Sequence, residues 1–253
     1  MSTDAQPTDG WVLADAFDRA APTYDAMVAL SPGYHEQLRT AADALVARLP
    51  RPEPGTDSVV VLDLGCGSGA SSRAVLDAWG ERGGREDAIT VQGVDASEGM
   101  VAQARAKQWP GNVELVVSDA VAHLESLEDA SIDGILAAYL LRNVPDRERL
   151  VREVARVLRP GGAVVIHDYS VAGSARAKAV WAAVCHAVII PLAVLKHSDV
   201  PLHRYLYTSV RDFDSVLTIC ERLLAAGLVD VKHRSYPGWQ HGVVHTIAGS
   251  SPS

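Results

Sequence analysis

The sequence predicts an α/β fold in which helices cover both faces of a seven-stranded, mostly parallel sheet. From Ser58 onward, short apolar segments typical of strands alternate with amphipathic helical segments, which is the order that parallel strands and their crossover helices produce. The chain has 253 residues, of which 48% are hydrophobic, and this composition can supply a substantial core. We therefore expect one folding unit with added helices at the N-terminus and after the fifth strand.

The first strand, residues 59–64, leads into a Gly-Cys-Gly-Ser-Gly turn and then a helix predicted over residues 70–79. Alternate glycines let the backbone turn tightly and approach a ligand that a Cβ atom would exclude. Asp63 lies where its carboxylate can face a cationic or amine-bearing group. The segment thus predicts a cradle for a nucleotide cofactor. Because Gly65 and Gly67 also fit the spacing of a dinucleotide turn, a nicotinamide site is the alternative at this point.

A second acid, at the end of the next strand, distinguishes these cofactors. The second strand, residues 89–94, ends at Asp95, whose carboxylate can accept both ribose hydroxyls of one nucleoside. Two acids, Asp63 and Asp95, and no phosphate-seeking lysine favour adenosine joined to an amino acid over a dinucleotide. The third strand, residues 113–117, leads to a further acid, Asp119.

The order of these motifs resembles the class I S-adenosylmethionine-dependent methyltransferases, whose fold is Rossmann-like. The motifs are Asp63-x-Gly-x-Gly-x-Gly, Val94-Asp95-Ala96-Ser97 and Ser118-Asp119-Ala120. The resemblance implies S-adenosylmethionine as cofactor and S-adenosylhomocysteine as product, with Asp95 on the ribose and Asp119 facing the adenine amino group. The residues that it assigns to the cofactor are Tyr24, Asp63, Gly65, Cys66, Gly67, Gly69, Asp95, Ala96, Met100, Asp119, Ala120 and Tyr139.

The remaining strands and helices follow from apolar periodicity and from turn residues. Strands are predicted over residues 134–138, 163–166, 229–234 and 243–248, and helices over residues 98–107, 147–158 and 213–224. Ser97 is a typical N-cap, and Gly227 a typical C′ residue. Residues 159–162, Arg-Pro-Gly-Gly, predict a tight turn into the fifth strand. The family resemblance implies that the last strand runs antiparallel.

The segment from residue 179 to residue 195 is almost wholly apolar. It is shorter than a comfortable membrane span, and Cys185, His186 and Pro191 interrupt it. We interpret it as a lid or core helix that is kinked or ended at Pro191. Packing against the sheet and lining an apolar substrate pocket are both compatible with this pattern.

Segments outside the cofactor motifs resemble, more specifically, the ubiquinone/menaquinone biosynthesis C-methyltransferases. These segments are residues 16–25, 30–35, 139–146, 205–210 and 242–245. The most specific is Leu141-Arg142-Asn143-Val144 at the mouth of the fourth strand. The resemblance implies a tail and helical lid over residues 1–55 and a methyltransferase domain over residues 56–250, in which residues 172–208 form a lid or substrate-pocket insertion.

The chain also departs from the pattern of that family. Val28 stands where the family usually has asparagine, and the first turn is Gly-Cys-Gly-Ser-Gly where Ala-Gly-Gly-Thr-Gly is common. Leu140 replaces the usual glycine, and its branched side chain can narrow or reshape the acceptor pocket. His167 and Asp168 make the end of the fifth strand more polar than a simple quinone methylase requires.

Methyl transfer from a sulfonium needs an aligned nucleophile and the exclusion of water. A hydroquinone ring carbon becomes nucleophilic when the neighbouring phenol loses its proton, which calls for a base or for a cation that stabilises phenolate. Arg142 suits the second task because guanidinium stays charged, and Asn143 can orient a hydroxyl or a water. The structural alternatives are a salt bridge for Arg142 and a turn or cap for Asn143.

Asp168 and His241 are further candidates for catalysis. Asp168 lies at the carboxyl end of a strand, where ligands of open α/β sheets bind, and can act as a general base or a substrate anchor. Its alternative is a hydrogen bond to a nearby backbone or lid residue. His241 enters the last strand near the expected acceptor pocket. Tyr24 and Tyr34 are expected to close the lid over the cofactor, with simple core packing as the alternative.

Charge and cysteine usage exclude several classes of partner. The net charge of -8 disfavours nucleic acid, and three distant cysteines without metal-binding spacing disfavour disulfides and a structural metal. The polar, acidic N-terminus lacks the features of a secretory signal. We expect a cytoplasmic protein with a small, apolar aromatic acceptor; peripheral contact with the inner membrane surface and a homodimer stay open.

Three functions are compatible with the sequence. The leading hypothesis is a methyltransferase that C-methylates a prenylated hydroquinone of the demethylmenaquinol type, which rests on the lid and on Leu141-Arg142-Asn143. The second is an O-, N- or C-methyltransferase of a secondary metabolite, suggested by Leu140, His167 and Asp168. The third is a protein that binds S-adenosylmethionine without transferring the methyl group.

Overall fold

A single sheet of seven strands organises the computed structural model, which describes residues 13–29, 33–53, 55, 58–195 and 200–253. The strands are β1 Val59–Leu64, β2 Ile89–Asp95, β3 Asn112–Val117, β4 Ile132–Ala138, β5 Leu158–Tyr169, β6 Val229–Ser235 and β7 Val244–Ser250. Their order across the sheet is β3-β2-β1-β4-β5-β7-β6. The pairs among β1 to β5 are parallel, whereas β7 runs antiparallel to β5 and β6. The predicted fold class and the antiparallel last strand are confirmed.

Helices cover both faces of this sheet. They are α1 Leu13–Ala29, α2 Tyr34–Val46, α3 Ala70–Glu81, α4 Glu98–Arg105, α5 Ala120–Ser126, α6 Arg147–Val157, α7 Ala175–Val184, α8 Ile190–Leu195, α9 Val200–Arg211 and α10 Val216–Ala225. Side chains of α2 and α3, among them Leu45 and Trp79, form the core of one face. Side chains of α5, α6 and α10, among them Val151 and Leu223, form the core of the other. Both apolar layers remove surface from water, which is the dominant stabilisation of such a sheet.

The strand order creates a crevice at the carboxyl edge of the sheet. β1 pairs with β2 on one side and with β4 on the other, so the connections that leave these two strands run in opposite directions across the sheet. Ligands of open α/β sheets bind at such a switch point. The glycine turn after β1, Asp95 at the end of β2 and residues 139–143 after β4 all lie there.

Several predicted boundaries differ from those observed. Residues 159–162 belong to β5 rather than to a separate turn, with Gly161 at a φ of 77° and a register shift between β4 and β5. The two glycines allow a local irregularity in strand pairing, and the chain does not reverse direction here. The helix predicted from residue 213 begins at Val216, because Ser215 accepts the N–H of Thr218 as its N-cap. Ser97 caps α4 as predicted, accepting the N–H of Met100.

The apolar segment after β5 remains helical through Pro191. A π-helical stretch, Cys185–Ile189, joins α7 to α8, and Pro191 lies inside α8. Proline lacks an N–H and its ring crowds the carbonyl four residues earlier. That carbonyl belongs to residue 187, within the wider π turn, so the irregularity accommodates the proline without ending the helix.

Two groups of helices cover the carboxyl edge. α1 packs on α4 at one end of the crevice, and α7 to α9 form the insertion at the other. α2 packs on α3 and on β4 and β5. The predicted tail at residues 1–10, residues 30–32 of the lid motif and residues 196–199 of the insertion lie outside the described residues. Within the described ranges, no helix has the length and apolarity needed to cross a bilayer.

Candidate active site

A cavity of about 890 Å³ occupies the crevice between the sheet edge, α1 and the insertion. The sequence-predicted residues that line it are Tyr24, Gly65, Cys66, Gly67, Asp95, Ala96, Met100, Asp119, Ala120, Tyr139, Arg142 and Asn143. Four predicted residues, Asp63, Gly69, Asp168 and His241, are not among its lining. The structure thus brings together ten of the twelve predicted cofactor residues and two of the four predicted catalytic residues in one continuous space.

The glycine turn exposes backbone to the cavity. Gly65 and Gly67 have φ angles of 71° and 53°, a region that glycine adopts without strain. A Cβ atom at Gly65 would come 3.0 Å from Leu140, whereas one at Gly67 would meet nothing within 4 Å. The open space beside Gly67 is a cradle that the close approach of a ligand can fill, and this geometry fits the predicted cofactor.

Asp95 connects the glycine turn to the start of α4. Its Oδ2 accepts the N–H of Gly67 at 2.8 Å, and its Oδ1 accepts the N–H of Ser97 at 2.9 Å. Burial raises the pKa of this carboxyl, although the two backbone donors oppose the shift. A carboxylate oxygen has further lone pairs, so Asp95 can still accept hydroxyl groups from the cavity side.

Asp63 lies behind the turn and is completely buried. Its Oδ2 accepts hydrogen bonds from the hydroxyls of Ser71 at 2.7 Å and Ser72 at 2.5 Å, while Oδ1 has no partner within the described residues. Burial raises the pKa of Asp63 to about 6. An unsatisfied buried acceptor is costly, and the orphan oxygen suits a cationic or amine-bearing group near the turn.

Asp119 and Gly69 have structural roles that the sequence analysis did not assign to them. Asp119 is the N-cap of α5, and its Oδ1 accepts the N–H groups of Val121 and Ala122. Gly69 is the N-cap of α3 with a φ of 91°, and a Cβ there would come 2.5 Å from the ring of Trp109. The requirement for glycine at position 69 therefore comes from its left-handed backbone and from packing against Trp109.

Helix α1 is attached to the cofactor side by two carboxylates. Asp18 accepts hydrogen bonds from the Ser97 hydroxyl at 2.5 Å and the Gly99 N–H at 2.8 Å. Asp25 accepts one from the Ser68 hydroxyl at 2.5 Å and forms an ion pair with Lys107 at 2.6 Å. Asp18 binds Ser97, whose N–H Asp95 accepts, and Asp25 binds Ser68, the neighbour of Gly67, so α1 closes over the cradle.

The tyrosines Tyr24 and Tyr34 line the cavity beneath this helix. They share a hydrogen bond, and burial raises the pKa of both phenols. Tyr34 stacks on Tyr139, with ring centroids 5.4 Å apart and planes within 14°. Tyr139 stacks in turn on Tyr169, which stacks on Trp181 of α7. This series of rings forms one wall that runs from the lid to the insertion.

Arg142 and Asp168 form a buried ion pair beside that wall. Nη1 of Arg142 lies 2.5 Å from Oδ1 of Asp168, and the two side chains are 7% and 3% exposed. Burial alone would lower the pKa of Arg142, but the adjacent Asp168 carboxylate raises it overall. Nε of Arg142 is buried without a partner among the described residues. A buried donor of this kind is normally satisfied, so the pair offers a donor to an anionic or polar ligand.

Asp168 therefore acts on Arg142 rather than on the cavity. It also accepts the backbone N–H groups of Arg142 and Tyr169. The predicted role of a free general base is not supported by this placement, because both carboxylate oxygens are engaged and the side chain does not line the cavity. The predicted alternative for Arg142 was a salt bridge, and the structure combines that bridge with a place at the cavity.

Asn143 is held between two segments. Its Nδ2 donates to the carbonyl oxygen of Tyr139 at 3.2 Å, and its Oδ1 accepts the Tyr205 hydroxyl at 3.2 Å. Tyr139 has a φ of 58°, a left-handed conformation that is unusual for a residue with a side chain. Its carbonyl also accepts Nη1 of Arg142. The carbonyl oxygen of this strained residue thus accepts hydrogen bonds from both candidate side chains, Arg142 and Asn143.

His241 is misplaced in the sequence-based prediction. Its side chain is exposed and does not line the cavity, whereas Trp239, two residues earlier, does. A 3₁₀ turn, Gly238–Gln240, turns the chain before β7 begins, and the sequence pattern could not show which of the two side chains reaches the cavity. His167, by contrast, is fully buried behind Tyr139: Nε2 lies 3.1 Å from the Tyr139 hydroxyl, and burial lowers the pKa of His167 to about 3.

Sequence reasoning missed several residues that shape the cavity. Tyr169, Trp181 and Leu202 line it, and Asp18 and Asp25 close α1 over it. Acidic residues at a spacing of seven on one helix face were the available signal for the last two. No group of three or more His, Cys, Asp and Glu side chains in the described ranges could hold a metal ion.

A family model described as the ubiE/COQ5 methyltransferase family matches residues 4–249. The chain is 32% identical to the demethylmenaquinone methyltransferase of Beutenbergia cavernae, over 93% of this chain and 89% of the relative. It is 31% identical to the ubiquinone/menaquinone biosynthesis C-methyltransferase UbiE of Methylobacterium nodulans, over 88% of this chain and 85% of that protein.

Solved structures share the fold at lower identity. Phosphoethanolamine N-methyltransferase 2 of Haemonchus contortus has a TM-score of 0.62 and 18% identity, covering 96% of this chain; the chain spans 61% of that enzyme. The [4+2]-cyclase SpnF has a TM-score of 0.62 and 18% identity, with 94% of each chain covered. The family match confirms the predicted enzyme class, a methyltransferase that uses S-adenosylmethionine. The chain belongs to the ubiE/COQ5 methyltransferase family.

Proposed function

We propose that the protein transfers the methyl group of S-adenosylmethionine to a ring carbon of a prenylated hydroquinone of the demethylmenaquinol type. The observation that carries this proposal is the buried Arg142–Asp168 pair, which lies where the cradle meets a largely apolar chamber. The orphan Nε of Arg142 gives the pair a free hydrogen-bond donor. The names of the Beutenbergia and Methylobacterium relatives support the same class of acceptor.

The cofactor half of the cavity would hold the nucleoside and the amino acid. Gly65 and Gly67 would lie along the methionine part, and Asp95 would accept the ribose hydroxyls. The orphan oxygen of Asp63, which lies behind the turn, would reach the amino group through a water. S-adenosylmethionine supplies an activated methyl group when it is bound there, so the protein's task is alignment and exclusion of water.

The acceptor half would raise the nucleophilicity of the ring. Arg142 would stabilise the phenolate form of the hydroquinone, which places electron density on the neighbouring ring carbon. Asp168 would keep the guanidinium in place and compensate its charge in the absence of substrate. Asn143, fixed by Tyr205, would limit where the ring oxygen can lie.

The insertion would accommodate the prenyl tail. Val184, Val188, Ile189, Leu202 and Leu206 line the cavity from α7 to α9. Burying such a tail among apolar side chains is favourable by about 25 cal/mol for each Å² removed from water. These five hydrocarbon side chains fit a hydrocarbon chain better than a polar substituent.

We also propose a peripheral contact between the insertion and the membrane that holds such acceptors. Val188 and Val194 are 56% and 57% exposed, and Trp239 is 43% exposed. Val188 and Trp239 also line the cavity, so the exposed apolar surface continues into the proposed tail site. Cosedimentation with lipid vesicles tests this contact; a V188D/V194D variant is expected to stay in the supernatant. A homodimer stays a prediction.

The function is tested by incubating the protein with labelled S-adenosylmethionine and demethylmenaquinol. We expect label in the ring-methylated product. Unchanged quinol, beside a control methyltransferase that is active in the same mixture, contradicts the proposal.

One observation favours a secondary metabolite as the alternative acceptor. Leu140 packs directly over Gly65 and occupies space at the junction of the two halves. A panel of phenols and polyketides offered in the same assay separates the two functions: methylation of these compounds with prenylquinols ignored supports the alternative.

A further inference from the structure

Arg147 contacts the turn that carries Arg142 and Asn143, although it does not line the cavity. It is the first residue of α6. Its Nε–H donates to the carbonyl oxygen of Leu141 at 3.2 Å, and its Nη2–H donates to that of Arg142 at 3.2 Å. One planar guanidinium therefore holds two successive carbonyls of the 3₁₀ turn Leu141–Asn143.

The same guanidinium also binds a residue just after α9, at the C-terminal end of the insertion. Nη1 of Arg147 donates to Oδ2 of Asp214 at 3.1 Å, and its Cζ lies 5.1 Å from the centre of the Phe213 ring. Asp214 follows α9, where the insertion ends. Its carbonyl oxygen accepts the hydroxyl of Ser170, where the insertion begins, at 2.7 Å. The two ends of the insertion thus meet at Asp214.

The turn needs support from outside because it is short. Three-residue 3₁₀ turns have poor hydrogen-bond geometry, and this one follows Tyr139 in its left-handed conformation. Small displacements of a positioned group are costly for catalysis. Whatever fixes the carbonyls of Leu141 and Arg142 also fixes the direction in which the Arg142 side chain leaves the backbone.

We propose that Arg147 is a positioning residue for methyl transfer, which fixes the Leu141–Asn143 turn by two carbonyls and couples it to the insertion through Asp214. This inference rests on the proposed function for its effect on turnover. Seating of an acceptor among α7 to α9 is transmitted along this link to Arg142. Arg147 itself touches neither the cavity nor the reacting atoms.

Arg222 provides a matched control. Its Nη1 lies 2.5 Å from the same Oδ2 of Asp214, and its Nε donates to Glu148 at 2.7 Å. These contacts resemble the outer half of the Arg147 arrangement, but they do not reach the turn. Arg147→Lys and Arg222→Lys each keep a positive charge beside Asp214, and only the first removes the hold on the two carbonyls.

The experiment compares both variants, loaded with S-adenosylhomocysteine, by amide hydrogen exchange in a peptide covering residues 140–146, and compares their kcat with demethylmenaquinol. For Arg147→Lys we expect exchange about tenfold faster and kcat about tenfold lower, with the Kd of the cofactor unchanged within about twofold. For Arg222→Lys we expect the exchange rate and kcat to lie within about twofold of the wild type. We expect its loss in Tm to be similar to that of Arg147→Lys.

Equal exchange in the two variants overturns the proposal, as does a kcat of Arg147→Lys equal to that of the wild type. If the wild type methylates no prenylquinol, the proposed function fails, and exchange still decides whether Arg147 fixes the turn. Asp214→Ala is the second variant, needed if Arg147→Lys does not fold. It leaves the two carbonyl bonds and removes the acceptor through which Arg147 binds the end of the insertion, so kcat is expected to fall about threefold; an unchanged kcat excludes the coupling to the insertion.

Discussion

The two halves of the cavity are built in different ways. The cofactor half consists of backbone turns and acids at the ends of β1 and β2, and Asp95 joins them through two backbone N–H groups. The acceptor half consists of side chains from distant segments, with Tyr34, Tyr139, Tyr169 and Trp181 stacked into one wall. A site made from backbone depends on glycine conformation, whereas a site made from side chains can change its ligand by single substitutions. On the proposed function, the first half would fix the cofactor and the second would determine the acceptor.

The largest effect is expected from Arg142→Ala, which removes the cation of the acceptor half. Turnover of demethylmenaquinol should fall by about a hundredfold to a thousandfold, the cost of losing one preorganised electrostatic contact in an active site. The Kd of S-adenosylmethionine, measured by calorimetry, should stay unchanged, because Asp95 and the glycines are untouched.

Stability is the confounding variable in that experiment. Arg142→Ala leaves Asp168 buried without its partner, at a cost of about 3–5 kcal/mol. The double variant R142A/D168A should recover much of this stability without recovering kcat. If turnover returns together with stability, Arg142 serves the fold alone and the division between the halves fails.

Asp95→Ala should produce the converse result. Loss of charge-assisted hydrogen bonds worth about 1.5–3 kcal/mol is expected to weaken cofactor binding by about tenfold to a hundredfold. At saturating cofactor, kcat should change far less. Asp87→Ala, which removes an exposed carboxylate paired with Arg85, is the matched control and should leave the Kd at its wild-type value. Unaltered calorimetric affinity in D95A refutes the assignment of the ribose site.

The buried His167, which lies behind Tyr139, is expected to make the stability of the protein depend on pH. Its pKa of about 3 lies below the value of 6.5 for a free histidine because the ring is buried. The unfolded chain therefore binds a proton below about pH 6.5 while the folded chain does not, and the stability is lost as the pH falls. Between pH 7 and pH 5 this single group should cost about 2 kcal/mol of unfolding free energy.

Urea unfolding of the wild type and of His167→Gln at both pH values measures this contribution. The variant should lose about 2 kcal/mol less than the wild type over the interval. His241→Asn, at an exposed histidine, should keep the wild-type dependence. Identical dependence in the wild type and H167Q shows that His167 takes up a proton in the folded protein.

The smallest effect is expected for Asp63 and concerns the pH dependence of cofactor affinity. Its raised pKa, about 6, means that the apo protein holds a proton on Asp63 at mildly acidic pH. A cationic group bound beside the orphan oxygen favours the ionised form, so binding releases that proton. Cofactor affinity should rise with pH by up to about tenfold per unit below pH 6 and level off above it. Calorimetry of Asp63→Asn should show a flat profile; a slope equal to that of the wild type assigns the proton elsewhere.

The same contrast explains how far sequence reasoning reached. The cradle was predictable because Asp63, the glycines and the start of α3 lie within one short strand-turn-helix segment, and Asp95 ends the next strand. Local geometry determines such a site almost completely. The family resemblance extended this to Arg142 and Asn143, which the structure places at the cavity.

The acceptor half could not be predicted in the same way, because it depends on contacts between remote segments. Tyr205 reaches Asn143 across 62 positions in the sequence, and nothing near either residue indicates the pairing. Proximity to β7 predicts His241 at the pocket, but at the turn before that strand it is the partly exposed Trp239 that lines the cavity. The π-helical stretch before Pro191 was likewise invisible, since proline in an apolar run is compatible with a kink, a helix end or a locally widened helix.

The hydrogen bonds that hold α1 in place have a consequence for the order of ligand binding and release. Asp18 and Asp25 bind α1 to Ser97 and Ser68; Asp95 accepts the backbone N–H of Ser97 itself and that of Gly67, the neighbour of Ser68. On the proposed function, release of S-adenosylhomocysteine would require both contacts to break, whereas the acceptor would enter from the side of the insertion. We expect S-adenosylmethionine to bind before the acceptor and S-adenosylhomocysteine to leave last.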